Sequence, residues 1–327
     1  EARTILMQGV VHRLQALGFD ADGKPVEEPQ RFEGGATFMG DTVSEDFYQK
    51  WCSLQHAIRR GGIPAAQAMW QVAEEAAYTW FNRLMAIRIM VKNGLIAPVL
   101  QYESEGVYVP LIVTEARQGR LPEMKEEERR KLMTLLEDDS KTAEQFAILI
   151  VAFCHATPVI NRCFGHISDY TELLLPANIL AECGFVDLIN HTDFIAEEDY
   201  KSPELIGWLY QFYISEKKDD VFAAFKKGKK AEAEDIPAAT QIFTPNWIVK
   251  YMVQNTIGRI YLDNNPYEED IQKNWKYLVD QPEKTPEDKI LHYDDLKELK
   301  FGDLASGSGH ILNEGFDMLY DLYVLEG

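Results

Sequence analysis

The sequence predicts a mainly α-helical region over residues 1–230, followed by the start of an α/β domain over residues 231–327. Three observations carry that expectation. Apolar residues recur at the helical period through most of the first part. A charged run without periodicity, KKGKKAEAEDIPAAT, then interrupts the pattern. Beyond it, a short apolar segment leads through a glycine-rich turn into another amphipathic helix, which is the strand, turn and helix order of an open α/β sheet.

The first helix follows from the stripe Ile5, Leu6, Val10, Leu14 and Leu17. A long helix is expected over 64–94, opened by Pro64 and closed by Gly94, with others over 125–138 and 142–155. The segments 97–103 and 107–114 read as short strands because they hold β-branched and aromatic residues, although Pro110 weakens the second. Apolar residues recur again from Pro203 to Phe225, and the domain boundary is placed in the charged run that follows. After it, Thr244 caps a helix whose first residue is Pro245, and WIVKYMVQNTIGRIYLD continues it. Residues 264–298 read as acidic loop, 299–303 as a strand, and the residues after Gly309 as a helix with Ile311, Leu312, Phe316, Leu319 and Tyr323 on its apolar face.

The chain has 327 residues, of which 46% are hydrophobic and 26% charged, so it can bury enough apolar surface to fold. Its 53 acidic residues outweigh 33 basic ones for a formal charge of -20, which disfavours non-specific adhesion to nucleic acid or anionic membrane. Cys52, Cys154, Cys163 and Cys183 form no CxxC pair and no dense framework, hence reduced thiols and a cytoplasmic setting are expected. No stretch reaches the roughly 18 uninterrupted apolar residues of a membrane span. The first residue is not Met and the chain stops at LYVLEG inside a helical pattern, which reads as the ends of a fragment.

The segment Asp303-Leu304-Ala305-Ser306-Gly307-Ser308-Gly309 is the first βα turn of a nucleotide-type site, where ligands lie at the carboxyl ends of strands. Glycine lets the backbone approach a ligand, and the amides opening the next helix supply donors. QIFTPNWIVKYMVQNTIGRIY together with FGDLASGSGHILNEGFDMLYDLY closely resembles the paired motifs X and I of N6-adenine DNA methyltransferases, most specifically the large PglX-type enzymes of BREX phage-defence systems. VFAAFKKGKK, IPAAT and WFNRLMAIRIM are similar to that family's N-terminal part.

The resemblance implies a Rossmann-like domain that uses S-adenosylmethionine. Thr244 and Pro245 match motif X, which packs against the methionine end of the cofactor in the family. Asp303, Ala305, Ser306, Gly307, Ser308, Gly309 and His310 match the motif I loop beneath it. Leu304 and Ser306 stand where the family usually has Pro and Cys. The family's catalytic loop is (Asn/Asp)-Pro-Pro-Tyr, which holds the exocyclic amine of a base taken out of the duplex. Asn264-Asn265-Pro266-Tyr267 is similar only superficially; it lies between motifs X and I and reads as a turn. No catalytic residue is therefore assigned within the chain, and the fragment alone is expected to be inactive. The acid that grips the ribose should fall about 20 residues past the glycine loop, beyond Gly327.

The resemblance further implies double-stranded DNA as a partner, mainly through regions beyond this chain, other BREX proteins, and a phage-encoded inhibitor as a conceivable ligand. Two alternatives remain at this point: the modification part of a restriction-modification enzyme, and a non-catalytic interaction module bound by defence partners or an inhibitor. Cys154, His155, Cys163 and His166 resemble a zinc set but lack a CxxC, so no metal is expected. Lys226, Lys227, Lys229 and Lys230 are flanked by acids and read as a solvated linker. Trp80, Phe81, Met85 and Ile89 read as a buried helix stripe, and His12 and His191 as structural.

Overall fold

The computed structural model describes residues 1–326 apart from 105, 165–169, 192–194, 203, 214, 229, 231–235, 237–242, 282, 307 and 308. It divides into two compact units, Glu1–Ser202 and Pro203–Gly327. In the first unit α1 (Ala2–Ala16) is followed by β1 (Gln30–Phe32), β2 (Gly35–Phe38) and β3 (Asp41–Ser44). The helices α2 (Glu45–Ile58), α3 (Ala65–Lys92), α4 (Leu111–Arg117), α5 (Glu126–Leu135), α6 (Thr142–Ala156), α7 (Pro158–Phe164) and α8 (Phe185–His191) complete it.

The long central helix forms where its residues favour it. Pro64 sits at the N-cap of α3, and Gly94 takes φ +68 just past its end, a conformation that costs a residue without Cβ little. Ala68, Ala73, Ala76 and Ala77 are buried along α3, so small side chains let neighbouring helices approach, while Trp80 and Leu84 fill the space between them. The α1 stripe is buried at Leu6, Val10, Leu14 and Leu17. Indole groups knit the unit: Trp51 Nε1 donates to the Leu17 carbonyl at 2.9 Å, and Trp80 Nε1 donates to that of Thr171 at 3.2 Å. Gln145, fully buried, donates to the carbonyls of Leu135 at 2.7 Å and Asp138 at 2.8 Å and so closes the turn between α5 and α6.

Two features of this unit differ from the sequence expectation. The segments 97–103 and 107–114 are not strands. They share one isolated bridge, between Tyr102 and Pro110, flanked by the Leu111 N–H donating to the Gln101 carbonyl at 2.8 Å and the Ile112 N–H donating to that of Val99 at 3.1 Å, and α4 starts at once. Pro110 has no N–H for a ladder, and its φ of -62 suits the residue before a helix. Conversely, the three-stranded antiparallel sheet β1-β2-β3 lies where no strand was expected. Its strands are too short to show a period, and the turns between them rest on Gly34 at φ +92 and on Met39 and Gly40 at φ +48 and +85.

The second unit holds α9 (Leu205–Tyr213), α10 (Ser215–Lys226), α11 (Asn246–Val253), α12 (Arg259–Asn264), α13 (Glu269–Gln272) and α14 (His310–Glu326). Thus α9 and α10, expected with the helical region, group with the residues that follow. The reason lies in side-chain contacts from α9 to residues 243–246, set out below. Residues 246–264 are not one uniform helix, because a π turn at Gln254–Gly258 separates α11 from α12. Val253, Ile257, Tyr261, Leu296, Met318 and Leu322 form the core of this unit, with Trp275 and Phe301 packed against it. Residues 299–303 make no β-ladder among the described residues. A ladder needs a paired partner strand, and the described residues of this unit offer none. The mainly helical expectation therefore holds, whereas a Rossmann sheet is not formed by the described residues.

Candidate cofactor-binding site

Residues 243–246 and 303–310, far apart in sequence, meet in the second unit. α11 begins at Asn246, and Pro245 at φ -56 and ψ 143 is its N-cap, without a side-chain cap bond. Thr244 accordingly precedes the cap, a correction to the sequence reading, since the extended ψ of Pro245 keeps it outside the helix. The residue immediately before α9 supplies the missing acceptor. The Asn246 N–H donates to Glu204 Oε1 at 2.5 Å, placing a carboxylate at the positive end of α11.

On the other side, Asp303 Oδ1 accepts from the Ala305 N–H at 2.9 Å and tightens the start of the loop. Its Oδ2 is buried with no partner among the described residues. The Gly309 N–H donates to the Ser306 carbonyl at 2.7 Å, and the Asn313 N–H donates to that of Gly309 at 2.8 Å, which opens α14. Gly309 has φ +77, and among the described residues, its chain neighbours aside, no atom lies within 4 Å of the place a Cβ would take. Backbone conformation, together with open space on that side, is thus what a glycine serves there. Leu304 is wholly exposed, and Ala305 and Ser306 are exposed as well. Gly307 and Ser308 lie outside the described residues.

A ring stack joins the two segments. The His310 imidazole lies on the Phe243 ring at 5.0 Å between centroids and 11° between planes. Trp208 meets Phe243 edge-on at 5.8 Å and 62°. His310 Nδ1 is buried with no partner among the described residues. Two unused polar atoms, Asp303 Oδ2 and His310 Nδ1, therefore flank the glycine turn, in keeping with a polar ligand. Sequence reasoning assigned no role to Glu204, Gly207, Trp208 or Phe243. The available signals were the lone glycine inside the aromatic helix LIGWLYQFY and the ring immediately before Thr244-Pro245.

A groove of about 980 Å³ runs along α11 and α14 within the same unit, walled by Trp208, Trp247 and Trp275 and by Glu204, Glu314 and Asp317. Burial pushes the Glu314 carboxyl above its ordinary range, with Lys250 opposing.

The other sequence candidates are placed as follows. Asn264 Nδ2 donates to the carbonyls of Ile260 and Leu291, both at 2.9 Å, and Asn265 Nδ2 donates to that of Tyr261 at 3.1 Å and to Tyr293 Oη at 3.2 Å. The tetrapeptide closes α12, and both amides are engaged with the chain itself. Cys154 is buried and its thiol is pushed up to about 12, while His155 Nε2 lies 2.7 Å from Glu172 Oε1. Cys163 is in α7 and His166 lies outside the described residues. Among the described residues no group of three or more His, Cys, Asp or Glu could hold a metal ion, and no helix is long and apolar enough to cross a membrane.

No family model matches the chain. In pairwise comparison it is similar to adenine-specific methyltransferases. It is 34% identical over 342 residues to adenine-specific methyltransferase BrxX of Escherichia coli O9:H4 (strain HS). It is also 33% identical over 356 residues to adenine-specific methyltransferase PglX of Lacticaseibacillus casei (strain Zhang). Both alignments take in 100% of this chain, which spans 27% and 29% of the two relatives' lengths. The likeness to PglX-type adenine-specific methyltransferases thus extends over the whole sequence, helical region included.

Proposed function

We propose that the chain is the helical N-terminal part and the opening of the catalytic domain of a DNA adenine N6-methyltransferase of a BREX phage-resistance system. The observation that carries this reading is the Phe243–His310 stack, which sets Thr244-Pro245 beside the 303–310 loop as a shared cofactor site requires. In this reading residues 231–327 open a Rossmann-like domain, and 299–303 is the strand that pairs once the rest of the sheet is present.

S-adenosylmethionine would supply a methyl group activated on a sulfonium. Asp303, Ala305, Ser306, Gly307, Ser308, Gly309 and His310 would hold it from one side, with Thr244 and Pro245 toward its methionine end. The unused Asp303 Oδ2 and His310 Nδ1 offer an acceptor and a second polar atom, and the first amides of α14 offer donors. Methyl transfer needs in addition a loop that grips the flipped adenine, and we assign that loop to the part of the enzyme beyond residue 327. Double-stranded DNA would be bound chiefly there too, in line with the net charge of -20 on this chain. Other BREX proteins, and an inhibitor of phage origin, are the partners this reading admits, in the cytoplasm.

Calorimetry on the full-length protein tests it. Gly307→Asp adds bulk and a carboxylate where the cofactor's own carboxylate would come close, so S-adenosylmethionine binding should fall sharply, while Asn265→Ala should leave it unchanged. Normal binding by a folded Gly307→Asp enzyme would refute the motif I assignment.

A further inference from the structure

Helix α9 belongs to neither cofactor motif, yet two of its residues, and Glu204 just before it, meet the segment that carries Thr244 and Pro245. Glu204 accepts the Asn246 N–H at 2.5 Å. Trp208 meets the Phe243 ring edge-on. Between them Gly207 leaves a notch: a Cβ there would stand 2.1 Å from Phe243 Cδ2 and Cε2, closer than any real contact. Only a residue without a side chain admits the ring at that depth. Seated in the notch, the same ring presents its face to His310, the first residue of α14.

We propose that Gly207, Glu204 and Phe243 are positioning residues, through which α9 holds the Thr244-Pro245 segment and the 303–310 loop at a fixed separation for the cofactor. The loop itself cannot set that separation. Its residues Leu304, Ala305 and Ser306 are exposed and pack on little, so its placement depends on what its ends are fastened to. One end is fastened by His310 on Phe243, and Phe243 is in turn fastened by Gly207 and Trp208. A displacement of the ring of about 1 Å would carry over to both walls of the site, and misplacements of that size cost binding groups much of their effect.

This inference rests on the cofactor reading above, and the test separates the two. In the full-length protein, S-adenosylmethionine affinity is measured by calorimetry for Phe243→Ala, Phe243→Tyr, Gly207→Ala, the Gly207→Ala/Phe243→Ala pair and Gly307→Asp, with folding checked by circular dichroism. Phe243→Ala and Gly207→Ala should each lose roughly tenfold or more. Phe243→Tyr keeps the ring and should retain affinity. Gly207→Ala should add nothing once Phe243 is already Ala, because the ring it displaces is gone. In transfer assays the KM for S-adenosylmethionine should rise while that for DNA holds, a split that general unfolding does not produce. If Phe243→Ala proves too unstable to test, Phe243→Leu, which keeps apolar bulk but loses the ring stack, takes its place with the same expected loss. Wild-type affinity in the Gly207 and Phe243 variants, with binding abolished by Gly307→Asp, overturns the positioning role and leaves the cofactor reading standing. Wild-type affinity in all five overturns both.

Discussion

Replacement of Lys50 by Met tests the electrostatics that hold the first unit together. Lys50 lies on α2 with its side chain nine-tenths buried, and its ammonium bonds Asp46 Oδ2 at 2.5 Å and also Glu172, itself nine-tenths buried. Glu172 reaches His155 with its other oxygen. Met fills the volume of the lysine stem but leaves the Glu172 carboxylate without its ammonium. Removing one partner of a buried pair costs about 3–5 kcal/mol, whereas replacing both costs far less. For a unit of this size each kcal/mol lowers the melting temperature by about 2–4 °C, so Lys50→Met should lower it by roughly 6–20 °C. Lys50→Met/Glu172→Gln should recover most of that.

Burial works against the Lys50 charge, but Asp46 and Glu172 outweigh it and hold the group above its ordinary 10.5. A raised lysine stabilises fully below its unfolded value and loses that contribution as the pH climbs through the folded one. The wild-type advantage over Lys50→Met should therefore be flat through neutral pH and shrink only above 10.5. Thermal melts followed by near-ultraviolet circular dichroism read this directly. A single variant melting within about 2 °C of the wild type would mean that the buried charges contribute nothing net, and the reasoning would fail.

Three further outcomes follow from other sites. Gly315→Leu should destabilise the second unit by about 1–3 kcal/mol, because a Cβ there would stand 2.5 Å from Phe301 Cε1; chemical denaturation measures it, and Phe301→Ala in the same chain should relieve it. Glu314→Gln should raise the melting temperature at pH 7 and change nothing below the unfolded carboxylate range, since a raised carboxyl penalises the folded state only where it is ionised; melts at the two pH values check the sign. Cys183, exposed, should take an alkylating reagent in the native protein while buried Cys154, its thiol pushed up to about 12, stays unmodified until unfolding, as peptide mass spectrometry would show.

The helices were legible in the sequence where periodicity ran long enough to accumulate. Residues 64–94 carry eight turns of pattern with Pro64 and Gly94 at the ends, and the structure ends α3 within two residues of both. Strands of three or four residues carry no comparable signal, which is why β1, β2 and β3 were missed although Gly34, Gly35 and Gly40 mark their turns. At 97–114 composition favoured strands, but Pro110 decided for the start of a helix. In the site, the two motifs were readable because they are contiguous in sequence. Glu204 and Gly207 were not, because their roles exist only once α9 lies against residues 243–246. A carboxylate some 40 residues upstream gives no local hint that it will cap α11.

Gly207 also belongs to a pattern that no contiguous motif reveals. Phe243, directly before Thr244, sits over Gly207 on α9; Phe301, two residues before Asp303, sits over Gly315 on α14; and Trp275 sits over Gly258, the last residue of the π turn. The three added Cβ atoms would come within 2.1, 2.5 and 3.0 Å of those rings respectively. Each glycine lies inside a helical segment, where it costs roughly 0.5–1 kcal/mol relative to Ala, so each notch must return at least that much in aromatic burial. The return is largest where the chain entering a loop has few other anchors. Both segments of the proposed cofactor site are preceded by a ring locked against a helix glycine, and in the second of them Leu304, Ala305 and Ser306 face outward. Large rings seated in glycine notches confine their attached backbone more closely than small side chains on a smooth helix face would, and a binding loop built from Gly, Ser and Ala needs that confinement from its neighbours. Substitutions at Gly207 or Gly315, remote from any ligand, are accordingly expected to act on the site through Phe243 and Phe301 before they act on the fold as a whole.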